Sequence, residues 1–259
     1  MPSPATRRPA TPSGPPSPER GLLAPETRTR DEDGERLRAL LWRAGPGWRM
    51  VSSAVLGGGI GERSWVLNAQ VSHGYRRTDP ERHLAELARA AGAEGPGVGL
   101  MTAADVSAFA HADDGGVEAV VTAGIRVRGW AAAPDEGSLL LARPGTINIV
   151  VALPVALTDA ALVNAVATAT EAKVQALLDA SHDCSGTPTD AVCVAARVPR
   201  AGDEVQAFAG PRSLWGARLA RAVHLAVLTA SCSPGAPQSR PFPNWGSAPD
   251  PAPQSPPSS

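Results

Sequence analysis

Along the middle of the chain, short runs of apolar residues are broken by glycine and proline, and three longer stretches carry helical spacing. "RMVSSAVLGGGI" (49–60) and "SWVLNAQV" (64–71) read as strands separated by a glycine turn. "DPERHLAELARAAG" (79–92) predicts a helix: Asp79 caps it, Pro80 suits its first turn, where a missing N–H costs nothing, and Gly92 ends it. "GVGLMTAADV" (97–106) and "GVEAVVTAGI" (116–125) predict two more strands, with "HADDGG" (111–116) as the turn between them. A loop containing "WAAAPDEG" leads to the strand "GTINIVVAL" (145–153). The strongest helix starts at Thr158 or Asp159 and runs to about Ala180. "TDAVCVAAR" and "EVQAFAG" read as strands after it, and "SLWGARLARAVHLAVLTA" as the last helix, capped by Ser213. The order β-β-α-β-β-β-α-β-β-α is mixed rather than strictly alternating. It predicts an α/β (mixed α+β) fold, one globular domain with a mixed sheet or paired sheets covered by helices. The two ββαβ stretches fit an internal duplication, although sequence similarity between them is thin.

Proline sets the expected limits of that domain. Eight of the 26 prolines fall in residues 1–26 and nine in 233–259, and both ends lack apolar periodicity. Residues 1–35 and 233–259 therefore read as disordered tails, and residues 36–232 as the folded unit. With one tyrosine and three phenylalanines, the core is expected to be built of Ala, Val and Leu. A net charge of −1 gives no single-sign field and argues against nucleic acid and anionic membranes as partners. The longest apolar run, about Ile147 to Leu157, is too short to cross a bilayer and contains Pro154. Arg7-Arg8 has no apolar run after it, so no secretory or twin-arginine leader is expected. Cys184, Cys193 and Cys232 are odd in number and have no CxxC spacing, which points to a reducing cytoplasm rather than a disulfide framework or zinc site.

One basic residue stands apart. Of 24 basic side chains, Lys173 is the single lysine, and it lies in "ATATEAKVQALL". At about 100° per residue, Val163, Val166, Ala167, Ala169, Thr170, Val174 and Leu177 share an apolar arc, with Lys173 inside it. Asn164, Thr168, Glu171, Gln175 and Asp179 gather on the opposite side. Glu171 sits roughly 160° from Lys173 around the axis, so the two form no intrahelical pair. The ordinary reading is a lysine snorkelling from the core edge, which an arginine would do as well. The sharper reading is a compact ammonium reaching a pocket as general base or oxyanion donor.

Several motifs together resemble a known family. "VSSAVLGGG", "NAQVSHGY", "GVGLMTAADV", "GTINIVV", "ATATEAKVQALL", "SGTPTDAVCVAA" and "FAGPRSLWGARLARAV" follow the order found in the adenosylcobinamide amidohydrolases, the CbiZ family, from about Val51 to Val227. Where the family tends to have Thr-Gly-Thr-x-Thr-Asp, this chain has Ser185-Gly186-Thr187-Pro188-Thr189-Asp190, which keeps the hydroxyl. The resemblance implies an enzyme of cobinamide salvage for cobalamin biosynthesis. It would hydrolyse the amide between the corrin ring and the aminopropanol arm of adenosylcobinamide, giving adenosylcobyric acid and 1-amino-2-propanol. The protein would need no cofactor of its own, since the cobalt belongs to the corrinoid substrate.

Amide hydrolysis needs an activated nucleophile, a stabiliser for the oxyanion and a proton for the leaving amine. No HExxH or close histidine pair supports a zinc site, and "GGGIGERSW" lacks the GxSxG elbow. The glycines of "GGGIG" read as a tight turn or a close backbone approach to a bound ligand rather than a phosphate loop. The expected catalytic set is Lys173, Glu171, Asp190 and Thr187; Asn68, Thr102, Thr146, Asn148 and Arg212 are the expected substrate-binding set. Either Glu171 or Asp190 activates water while Lys173, with Asn148 or Thr187, stabilises the oxyanion, or Thr187 attacks with Lys173 as its activator. His73 is a further pocket candidate, whereas His83 reads as structural. The rival functions are a corrinoid-binding protein without hydrolysis and an amide hydrolase for another substrate.

Overall fold

Two β-sheets lie face to face, and helices cover the outer side of each. The computed structural model describes residues 21–126, 128–133 and 145–232. In chain order the elements are β1 (Glu26–Glu32), β2 (Glu35–Trp42), β3 (Trp48–Ser52), β4 (Gly59–Glu62), β5 (Trp65–Gln70), α1 (Pro80–Ala90), β6 (Gly97–Thr102), β7 (Ala110–Asp114), β8 (Val117–Gly124), β9 (Thr146–Ala152), β10 (Ala156–Leu157), α2 (Asp159–Asp179), β11 (Ala191–Arg197), β12 (Val205–Gln206) and α3 (Leu214–Ser231). One sheet has the order β1-β2-β5-β6, and the other β4-β3-β11-β9-β8-β7; β10 and β12 form a short parallel pair. Each large sheet contains one parallel pair joined through a helix, β5-α1-β6 and β9-α2-β11. A parallel pair requires such a crossover, because the chain must return before it runs the same way again.

Alternation along the strands sorts the side chains into three apolar layers. Leu40, Trp42, Val66, Val98 and Leu100 of the smaller sheet meet Met50, Val120, Val150, Ala152 and Ala195 of the larger one. The odd partners on β2 and β5, Leu41, Trp65 and Leu67, pack against Leu84 and Ala88 of α1. On the far side of the larger sheet, Val121, Ile147, Ile149, Val151 and Val194 lie under α2 and α3. Among the described residues no helix is long and apolar enough to cross a membrane.

α2 has a good helix former at every few positions and a cap in Thr158, whose side chain accepts from the Ala161 N–H at 3.1 Å. Its buried face is Ala161, Leu162, Ala165, Thr168, Ala169, Ala172, Lys173, Ala176 and Leu177. That face is turned away from the arc expected from hydrophobicity: Val163 is 58% exposed, while Thr168 is buried and bonds the Ala209 carbonyl at 2.8 Å. Small residues win the buried side because α2 must sit close to both the sheet and α3. Ser213 caps α3 as expected, accepting from the Gly216 N–H. Asp79 precedes α1 but makes no cap bond, since Arg77 takes its carboxylate.

Four expectations change. Residues 26–35, assigned by proline content to a tail, form β1, the turn after it and the first residue of β2. β1 is an edge strand of charged and hydroxyl residues, a pattern that guards an open sheet edge and carries no apolar signal. Residues 1–20 and 233–259 lie outside the described residues, as does part of the loop containing "WAAAPDEG". The single strand expected over 49–60 is the hairpin β3–β4, with Gly57 (φ 70°) so near the Gly97 carbonyl that a β-carbon would collide. The close approach at Gly57 is to the backbone of β6, where the sequence reading puts a bound ligand. His111–Asp114 are strand rather than turn, and β6 and β8 belong to different sheets. Of "EVQAFAG" only Val205–Gln206 is strand.

Candidate active site

The seam between the sheets changes character along its length. On β9 the inward residues run from Ala152 and Val150 to Asn148 and Thr146; on β5, Val66 gives way to Asn68; on β8, Val120 to Thr122; on β6, Leu100 to Thr102. All four polar turns occur at the same end, because β9 pairs Asn148 with Thr122 of β8 and faces β5 and β6. There the seam opens into a cleft of about 680 Å³, lined by Thr102, Thr146, Asn148, Thr189 and Asp190. The loops 53–55 and 71–76 form its other walls. This volume lies within the range of small-molecule sites, about 300–1,000 Å³.

Asp190 sits at the foot of β11, one position before the residue that pairs with Asn148. Its carboxylate has about four lone-pair positions, and four donors surround it. Lys173 Nζ reaches Oδ2 at 2.5 Å and the Thr187 N–H the same oxygen at 3.1 Å; the Ile147 N–H reaches Oδ1 at 2.8 Å and the Thr187 hydroxyl at 2.5 Å. Lys173 and Asp190 side chains are 9% and 11% exposed, so the pair is largely withdrawn from water. Gly186 lies over it: a β-carbon there would collide with Asp190 Oδ2 and Lys173 Nζ. Thr187 Oγ1 is also 2.8 Å from the Gly145 carbonyl, and its one proton serves either acceptor. A second hydroxyl pair, Thr146 and Thr189 at 2.6 Å, leads to the same carbonyl through Thr189 at 2.9 Å.

Beneath these groups lies a buried amide network. Asn148 Nδ2 donates to Asn68 Oδ1 at 2.8 Å and to the Met101 carbonyl at 3.1 Å, and Asn68 Nδ2 donates to Thr122 Oγ1 at 2.9 Å. A backbone carbonyl only accepts, so Met101 fixes which end of the Asn148 amide is nitrogen, and Asn148 in turn fixes Asn68. Both Asn148 protons are therefore used. The expectation that Asn148 donates to an oxyanion is corrected on that ground.

The structure brings Asn68, Thr102, Thr146, Asn148, Lys173, Thr187 and Asp190 to one end of the seam. It does not bring Glu171 or Arg212 there. Glu171 is exposed on the face of α2 opposite Lys173. Arg212 is exposed just before α3, whose first half reaches Gly115 through Arg218; that turn lies at the far end of β8 from the Gly124–Thr146 pairing. His73 lines the cleft, as does Tyr75. His83 is buried under that loop, 3.1 Å from the Tyr75 hydroxyl and 3.1 Å from Glu32 Oε1. Thr189, Gly186 and Thr122 escaped individual notice in the sequence. The first two lie inside the Ser185–Asp190 motif, and the spacing of Thr187, Thr189 and Asp190 was the signal for them.

A family model described as adenosylcobinamide amidohydrolase matches residues 24–235, which takes in both sheets, all three helices and the cleft. The chain belongs to the adenosylcobinamide amidohydrolase family. Its relatives include an adenosylcobinamide amidohydrolase of Methanosarcina mazei, 36% identical over 143 residues, 55% of this chain and 67% of that protein. Another, from Halobacterium salinarum, is 43% identical over 97 residues, 36% of this chain and 40% of that protein. The PH0078 protein of Pyrococcus horikoshii OT3 aligns at 13% identity over 82% of this chain and 81% of its own, with a TM-score of 0.37, too low to carry an argument. In this chain the "ATATEAKVQALL" and "SGTPTD" stretches meet in space across the α2 crossover, through the Lys173–Asp190 pair.

Proposed function

We propose that this chain hydrolyses the amide between the corrin ring and the aminopropanol arm of adenosylcobinamide, releasing adenosylcobyric acid and 1-amino-2-propanol. Family membership supports the substrate, and one observation carries the chemistry: the chain Thr187 Oγ1, Asp190, Lys173 Nζ, with 2.5 Å at each step, beside a cleft. It is the arrangement of nucleophile, base and orienting group that covalent hydrolysis uses. Thr187 Oγ1 attacks the amide carbon while Asp190 takes its proton. Lys173 holds the carboxylate in place. The hydroxyl pair of Thr146 and Thr189 stands on the same wall and has one proton to give the oxyanion, from Thr146 when Thr189 donates to it instead of to the Gly145 carbonyl. Collapse of the tetrahedral intermediate expels the amine, which recovers the proton from Asp190, and water then cleaves the ester. The cobalt arrives with the substrate and stays on it, and we place the reaction in the cytoplasm.

A second route is favoured by the fact that Asp190, not Thr187, lines the cleft. There Asp190 would deprotonate a water directly. Turnover of adenosylcobinamide, followed by chromatography and mass, separates the two. If Thr187 is the nucleophile, Thr187→Ala loses at least about 10³-fold in kcat and Thr187→Ser keeps activity. If water is, Thr187→Ala stays active while Asp190→Asn does not. Wild-type protein that binds the corrinoid but returns it unchanged would leave a binding protein and end the proposal.

A further inference from the structure

Asn148 is 1% exposed and sits in the middle of the site, on the cleft floor next to the strand that carries Asp190. Its two amide protons are committed to Asn68 and Met101. Its oxygen is not committed: Asn148 Oδ1 is one of two buried side-chain N or O atoms with no hydrogen-bond partner among the described residues. A buried acceptor without a donor is costly, and native proteins rarely leave one without a reason. The other orphan, Ser231 Oγ, is at the end of α3, away from the cleft. The network also prevents the simplest remedy. Turning the amide to offer its nitrogen instead would place an oxygen against the Met101 carbonyl.

Building on the proposed amide hydrolysis, we infer that Asn148 Oδ1 receives the N–H of the scissile amide and makes this site selective for amides over esters. The position is consistent with that role. Ile147, its neighbour on β9, bonds Asp190 Oδ1, while Thr146, two residues back on the same face, carries an oxyanion donor. An amide whose carbon lies before Asp190 and Thr187 therefore brings its nitrogen to the next group along the floor. The contact grows during reaction. As the carbon becomes tetrahedral and the nitrogen takes a proton, the N–H becomes a stronger donor, and a fixed neutral acceptor binds it more tightly than in the ground state. An ester has no hydrogen to offer, so it would set its lone pairs against an oxygen that has nowhere to turn. Sites built around a buried acceptor reject ligands that lack the donor far more strongly than apolar pockets reject an extra methylene. Asn148 is on this account a specificity-determining residue rather than a source of protons.

The test compares kcat/KM for adenosylcobinamide with that for its ester counterpart, oxygen replacing the amide N–H, in wild type and in Asn148→Ala. The amide-to-ester ratio is expected to fall by about tenfold or more in the variant, with the loss on the amide appearing in kcat. An unchanged ratio in folded Asn148→Ala overturns the inference while leaving the hydrolase in place. Should Asn148→Ala not fold, the wild-type enzyme alone decides with the N-methylated amide: turnover equal to the parent overturns the inference, and a loss of about tenfold or more supports it. Wild-type protein inert towards adenosylcobinamide removes the proposed function, and this inference with it.

Discussion

Lys173 has one close partner, and that partner organises the site. Its Nζ sits 2.5 Å from Asp190 Oδ2, under a glycine whose missing side chain leaves the space. Lys173→Met is expected to lower stability by about 3 kcal/mol, because an ionised carboxylate would be left partly buried without its counter-ion; chemical denaturation followed by circular dichroism reads this. Lys173→Arg is expected to fail as a rescue in turnover, since a planar fork demands room where Gly186 and Asp190 close on a point charge. That arginine fills every other basic position makes sense from here: this one position needs the smaller head. The lysine was legible in the sequence by composition alone. Glu171 is the expected alternative to Asp190 as the carboxylate that activates water, and its place two residues along the helix, on the opposite side, keeps it out of the site.

Among the elements, α2 shows where pattern reading went astray and why. Valine and alanine both count as apolar, yet Val163, Val166 and Val174 of α2 are not fully buried, whereas Ala161, Ala165, Ala169, Ala172 and Ala176 are, alongside Leu162 and Leu177. Close packing against α3 and the sheet selects size, which hydrophobicity does not report. Ala169→Leu is therefore expected to destabilise by about 1–3 kcal/mol through overpacking, whereas Val163→Ala, at a 58% exposed position, should stay within about 0.5 kcal/mol. Paired thermal melts check both. β1 makes the complementary case: a strand at a sheet edge needs charges to remain unpaired, and those charges erase the alternation that would have announced it. The start of α2 at Thr158 or Asp159, the Ser213 cap and the proline entry to α1 were legible, since each is settled within one helical turn.

At the scale of the molecule, three layers share one end where loops and strand termini open the seam. α1 supports that end through His83, which stacks on Tyr75 of the cleft loop with ring centroids 5.6 Å apart and touches Glu32 of β1. Burial pushes the His83 imidazole below its ordinary value, more than Glu32 lifts it. The sign follows: on acidification the unfolded chain takes a proton near its ordinary value of 6.5 that the folded protein resists. His83 therefore contributes fully above that pH, and stability declines below it until the lower folded value is reached. Denaturation midpoints from pH 8 to pH 5 should fall less steeply in His83→Gln than in wild type.

The sequence by itself determined the three helices, most of the inner strands, the single lysine and the ordered motifs of the family. Each is encoded within a few residues, by alternation, helical spacing, a cap or a glycine. Tertiary structure alone decided which sheet each strand joins, which side of α2 is buried, and that Asn68 and Asn148, 80 residues apart, share a hydrogen bond. Those outcomes depend on size and complementarity between surfaces distant in the chain, and local pattern carries no record of a partner until the two faces meet.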